Sequence, residues 1–106
     1  MQTILIVLGL AATAANAVQA ADANAGKAVY QKSCKSCHGP DGAGNPAIAK
    51  MMKVEMKDLK SSDVQAMSDD DLKKVIANGK GKMKPIASVS GADADNVVAY
   101  IRTWKK

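Results

Sequence analysis

From residue 22 onward, apolar residues recur at helical spacing in separate stretches, and glycine- and proline-rich segments lie between them. No stretch alternates apolar and polar residues singly, as a half-buried strand does. Residues 23 to 33, ANAGKAVYQKS, predict a first helix that Asp22 or Asn24 can cap. Ala25, Val29 and Lys32 mark one stripe of it, and Gly26 and Tyr30 a neighbouring one. GPDGAGNP, residues 39 to 46, carries three glycines and two prolines and predicts a loop. Residues 47 to 53, AIAKMMK, predict a short helix, since Pro46 suits a first helical turn. Residues 54 to 66 are ambiguous. The next helix is clearer. Ser68 is a good N-cap and Asp71, three residues on, makes a variant capping box. Asp69, Asp70 and Asp71 set negative charge on the positive end of the helix dipole. Leu72, Val75 and Ile76 form its apolar stripe, and Asn78-Gly79 ends it. KGKMKPIASV, residues 80 to 89, reads as an extended loop. A last helix is expected to start at Ser90, with Asp93 closing another capping box, Val97, Val98, Ile101 and Trp104 facing inward, and Tyr100 on the flank. The expectation is an all-α domain of three to five helices whose long loops need something central to hold them.

The stretch before this domain has another character. Residues 4 to 18, ILIVLGLAATAANAV, carry no charge and run into Val18-Gln19-Ala20, with small residues where a signal peptidase needs them. This predicts a signal peptide over 1–20, cleaved after Ala20 or Ala21, and a domain over 21–106. The alternative is an uncleaved membrane anchor. Its strongly apolar part, Ile4 to Leu10, is short against the roughly 20 apolar residues of a span. Export predicts a periplasmic, soluble protein without stable membrane insertion after cleavage.

Composition sharpens the problem of the core. The chain has no Phe, one Trp and two Tyr, and large aromatic side chains dominate core energetics. At this size a disulfide, a metal or a cofactor is the usual remedy. The net charge is +5, from 15 Lys and Arg against 10 Asp and Glu. Scattered lysines with almost no aromatic residues for base stacking exclude a nucleic-acid partner and favour an acidic protein.

Both cysteines and the single histidine stand together in KSCKSCHG as Cys34-Lys35-Ser36-Cys37-His38. Four chemistries compete for this pattern. A thioredoxin-like redox pair needs a βαβ context, which is absent. A structural zinc site wants four ligands, and no second pair exists here. A short-range disulfide leaves the adjacent histidine and the thin core unexplained. Covalent haem uses all three residues: the thiols of Cys34 and Cys37 add to the two vinyl groups of one haem edge, and His38 offers a nitrogen to the iron.

Gly26-x-x-x-Tyr30-x-x-x-Cys34-x-x-Cys37-His38, Gly44-Asn45-Pro46, Gly81-Lys82-Met83-Lys84-Pro85 and Ala99-Tyr100-Ile101 together resemble the class I cytochromes c, the small monohaem kind of bacterial periplasms, over roughly residues 22 to 104. Lys84 stands between Met83 and Pro85, where that family often has Met directly before Pro, and Tyr30 stands where Phe is frequent. The resemblance implies a cytochrome c fold wrapped around one covalent haem c. It implies a close crossing of the first and last helices at Gly26 near Tyr100, and a hydrogen bond from the His38 ring to the Pro46 carbonyl. It further implies a monomeric one-electron carrier between periplasmic redox proteins, not an enzyme.

The second axial position decides between closed and open iron. With His38 the sole histidine, methionine sulfur or lysine nitrogen remains. Met51, Met52, Met56 and Met67 fit structural roles as core filler or as a staple onto Leu72. Met83 lies in the 80–89 loop, where extended backbone would turn it inward while Lys80, Lys82 and Lys84 point to solvent, and Pro85 keeps Lys84 out of a helix. The family also places its methionine ligand in this loop. The candidate site is therefore Cys34, Cys37, His38 and Met83, with His38 and Met83 on the metal. Lys80, Lys82, Lys84 and Lys35 form a candidate basic rim for protein redox partners with acidic docking surfaces. Two rival readings are a haem-based gas sensor or peroxidase-like enzyme with a labile sixth ligand, and a haem-free binding module with a Cys34–Cys37 disulfide.

Overall fold

The computed structural model describes residues 21 to 105, so the leader expected over 1–20 lies outside the described residues. Six helices follow in order: α1 (Ala23–Ser33), α2 (Lys35–His38), α3 (Pro46–Met52), α4 (Ser62–Gln65), α5 (Asp69–Asn78) and α6 (Ala92–Arg102). No strand occurs among the described residues. The four longer helices are those the sequence predicts, with α6 starting later than expected. α2 and α4 are single turns, too short for any periodicity to mark them.

Local chemistry explains most of the boundaries. Asp22 Oδ1 accepts from the backbone N–H groups of Asn24 and Ala25 at 2.8 and 3.3 Å. Ser68 Oγ accepts from Asp71 N–H at 3.1 Å. Asn45 caps α3 through Ala47 N–H at 3.1 Å, with Pro46 as the first helical residue. The start of α6 differs from the expectation. Gly91 takes φ +55, ψ −127, the helix begins at Ala92, and no side chain caps it. The chain bends at Gly91, in a conformation that side chains avoid, so Ser90 cannot serve as the N-cap.

α1 packs on α6, and α5 packs on the same helix. Of the two stripes on α1, Gly26 and Tyr30 are the buried one, while Ala25 is exposed. Gly26 sits at the crossing. A Cβ there would overlap the backbone carbonyl of Asn96 and lie 3.0 Å from Tyr100 Cβ. Asn96 also clasps the start of α1, its Oδ1 accepting from Asp22 N–H at 2.9 Å. Beside the crossing, Tyr30, Tyr100 and Trp104 pack pairwise at ring centroid distances of 5.4, 5.3 and 5.1 Å, in tilted or edge-on geometry. Val64, Leu72, Ile76, Val89, Ala94, Val97, Val98 and Ile101 complete the core.

The ambiguous stretch 54–66 is fixed by polar contacts with distant residues. Gln65, buried, donates from Nε2 to the carbonyls of Leu59 at 2.9 Å and Ile101 at 3.1 Å. Arg102 donates from Nη1 to Gln65 O at 2.9 Å, and from Nε and Nη2 to Asp69 Oδ1 at 3.0 and 2.9 Å. These bonds tie α4 and the start of α5 to the end of α6.

Candidate functional site

Cys34 ends α1 and opens α2. Its N–H reaches Tyr30 O at 2.9 Å, and its carbonyl accepts from Cys37 at 3.3 Å and His38 at 2.9 Å. Cys34, Cys37 and His38 are thereby gathered on one turn. Gly39, at φ +78, stops the helix, and the loop folds back over it. Gly44 N–H donates to His38 O at 2.7 Å, and Asn45 N–H to Cys37 O at 2.8 Å. Asn45 Nδ2 also donates to Ser36 O at 3.1 Å. Tyr30 completes the frame by donating its buried hydroxyl to Gly39 O at 2.6 Å. Burial, followed by the nearby Cys34, pushes this phenol above its ordinary range, so it stays a donor.

Both cysteines are free and half-buried. Burial, with a smaller contribution from Cys37, pushes the Cys34 thiol up to about 11. A thiol–disulfide exchanger lowers its attacking thiol instead, which argues against a redox pair. Burial also lowers the His38 pKa, so the ring is neutral at physiological pH and keeps a lone pair to offer.

One expected contact is not made. His38 Nδ1 is buried and has no hydrogen-bond partner among the described residues, whereas the resemblance implies a bond to the Pro46 carbonyl. Pro46 is the first residue of α3, and its carbonyl is directed along that helix.

The loop bearing Met83 also differs from the expectation. Residues 80 to 83 are a tight turn, not an extended segment: Lys80 N–H bonds Met83 O and Met83 N–H bonds Lys80 O, both at 3.0 Å. Gly81, at φ +57, supplies the left-handed residue of the turn. Met83 is half-buried, while Lys80, Lys82 and Lys84 are all exposed. The inward turn of Met83 therefore holds although the extended backbone expected for it does not. Met83 pairs through its backbone with Lys80 and not with the Cys34–His38 turn. Of the other methionines, Met51 is 72% exposed and Met67 packs against the core. Met56 lies against Gly44, where a Cβ would come within 3.1 Å of Met56 Cβ. Lys82 Nζ donates to the carbonyl of Met52 at 2.5 Å, a contact that no local pattern in the sequence signals.

The donor set fits a haem bound by thioether links. Two free thiols and a neutral imidazole share one turn, and the second imidazole nitrogen is buried without a partner. Cys34 and Cys37 would hold the haem at its vinyl groups, and His38 would hold the iron. Among the described residues, no helix is long and apolar enough to cross a membrane.

Known proteins are similar to this chain. The family described as cytochrome C oxidase, cbb3-type, subunit III matches residues 21–101. Cytochrome c-554(547) of Halothiobacillus neapolitanus is 38% identical over 91 residues, spanning 81% of this chain and 100% of that protein. The solved structure of KustC0563 c-type cytochrome superposes with a TM-score of 0.63 at 25% identity, covering 76% of this chain and 98% of that one. With a covalently bound haem c whose attachment motif Cys34 and Cys37 fit, the chain belongs to the c-type cytochromes, in the family described as cytochrome C oxidase, cbb3-type, subunit III.

Proposed function

We propose that this c-type cytochrome is an exported, monomeric one-electron carrier of the periplasm, with His38 and Met83 as the axial ligands of its haem iron and no catalytic reaction of its own. The observation that carries this reading is the single turn holding Cys34, Cys37 and a neutral His38, with both thiols free. Met83 supports it as a half-buried thioether on a tight turn among lysines. When bound, haem iron takes up and releases one electron, and a soft thioether ligand raises its potential relative to two nitrogen ligands. The protein's own work is to hold both ligands so that little moves between oxidation states. The Tyr30, Gly44 and Asn45 bonds around the Cys34–His38 turn serve that rigidity. A gas sensor or peroxidase-like enzyme would want an open face with polar distal groups, and the chain offers no second histidine.

The test is the visible to far-red spectrum of the purified protein. A low-spin reduced spectrum and a weak far-red iron–sulfur band in the ferric state are expected, with that band lost in Met83→Ala. A high-spin wild-type spectrum, or a band that survives the substitution, would overturn the ligand assignment.

The exposed Lys35, Lys80, Lys82 and Lys84 support docking to acidic redox proteins. Screening shortens the reach of such charges from about 30 Å at 0.01 M salt to about 8 Å at 0.15 M. The bimolecular rate of electron transfer to an acidic protein acceptor is therefore expected to fall about tenfold over that range. A rate indifferent to salt in stopped-flow measurements would sink the docking assignment.

A further inference from the structure

The Lys82 bond joins two segments that have few other attachments. α3 buries none of its residues fully, and it is absent from the helix pairs that pack extensively, α1 with α6, α5 with α6 and α1 with α2. Its C-terminal end is closed by Lys53 in a left-handed conformation, whose N–H serves Ala49 and Lys50, while Val54 N–H also turns to Ala49 O. The Met52 carbonyl is thus one of the orphan acceptors a helix leaves at its end. Lys82, from a turn 30 residues away, fills it at 2.5 Å. On its other flank, the turn is anchored to the helical core by Ile86 N–H to Ile76 O at 2.8 Å. Within the turn, a Cβ added at Gly81 would meet nothing within 4 Å among the described residues, so the tip is open. Gly79, before it, is tightly enclosed by the Met83 carbonyl and Pro85.

From this arrangement we infer that Lys82 is a positioning residue for Met83: its ammonium straps the Met83 turn to the end of α3 and so sets how often the Met83 sulfur leaves the iron. The inference rests on the proposed His38/Met83 ligation and adds the part that governs its lability. Three lysines surround Met83, and among the described residues only Lys82 makes such a bond; Lys80 and Lys84 carry the same charge beside Met83 with no such partner there. The strap is therefore separable from the general effect of positive charge. A charged donor meeting a helix-end carbonyl is favoured both as a hydrogen bond and by the partial negative charge there.

The experiment uses the intact ferric holoprotein and imidazole as the entering ligand, since imidazole binds only after Met83 departs. Stopped-flow loss of the far-red band gives the rate for the wild type, Lys82→Gln, Lys80→Gln and Lys84→Gln. Lys82→Gln is expected to react about tenfold faster, the factor carried by one lost hydrogen bond to a charged group. Lys80→Gln and Lys84→Gln are expected to stay within about twofold of the wild type, as befits isolated surface charges. Urea midpoints measured in parallel separate a released strap from a weakened fold: a lower midpoint for Lys82→Gln with an unchanged imidazole rate would overturn the inference. Equal rates for the three variants would do the same. Should the wild type lack the far-red band, or keep it in Met83→Ala, the ligand assignment itself fails and the strap loses its object. A band that depends on Met83, with an imidazole rate that does not depend on Lys82, leaves the ligation standing and removes the strap alone.

Discussion

Gly26→Ala is expected to lower the stability of the holoprotein by about 3 kcal/mol, at the upper end of the usual cost of overpacking. The reason is the α1–α6 crossing, where the new methyl group would overlap the Asn96 carbonyl and press on Tyr100 Cβ. A side chain could swing away from such a collision. A carbonyl in the middle of a helix cannot, so the two helices must separate. The gain in helix propensity from Gly to Ala, about 1 kcal/mol, acts in the opposite direction and is already deducted. For a domain of this size each kcal/mol shifts Tm by roughly 4–8 °C, so thermal denaturation followed at the haem absorption reads the effect directly. Attachment of haem and the far-red band should survive, because Cys34 and His38 lie beyond the crossing. A Tm unchanged within about 2 °C, on the scale just cited, would show that the helices do not meet as closely as Gly26 requires.

The larger effect is expected from Cys34→Ala/Cys37→Ala, which removes the covalent attachment of haem. Among the described residues only nine apolar side chains are buried, and of the large ones only Tyr30 and Val97 fall below 2% exposure. A domain of about 85 residues with so small a core lies near the limit of independent folding. The variant is expected to be colourless and to lose its cooperative urea transition, retaining at most partial helicity by circular dichroism. A sharp transition with a slope of about 1 kcal/mol/M, normal for a small folded domain, would mean that the polypeptide alone supplies the stability.

The parts of this structure that are legible in the sequence share a cause: each is set by residues adjacent in the chain. Asp22 and Ser68 act on N–H groups two or three residues away and Pro46 fits a first helical turn, so α1, α3 and α5 begin where these residues stand. Attachment of a haem at both vinyl groups needs two thiols close together, so Cys34, Cys37 and His38 are contiguous on one turn. The differences lie where the determinant is a backbone conformation or a distant partner. Gly91 displaces the start of α6 by adopting a positive φ that the Ser90/Asp93 pattern does not encode. Gly81 converts an apparently extended loop into a tight turn. Residues 54 to 66 have no clear period because Gln65 and Arg102 hold them through bonds to sites 36 and 37 residues away. The orientation of His38 Nδ1 and the bond of Lys82 to Met52 depend likewise on how separate segments meet.

The clasp between the first and last helices also dictates an order of events during biogenesis. Asp22 and Asn96 are 74 residues apart, so the contact that closes the domain forms only after all the residues between them have emerged. Closing so long a loop carries an entropy cost that local turns avoid, and it comes late in folding. Cys34 and Cys37, near the beginning, emerge long before α6 can cover α1. The thiols therefore pass through a stage in which they are open to modification, and joining of the two ends afterwards seals the product.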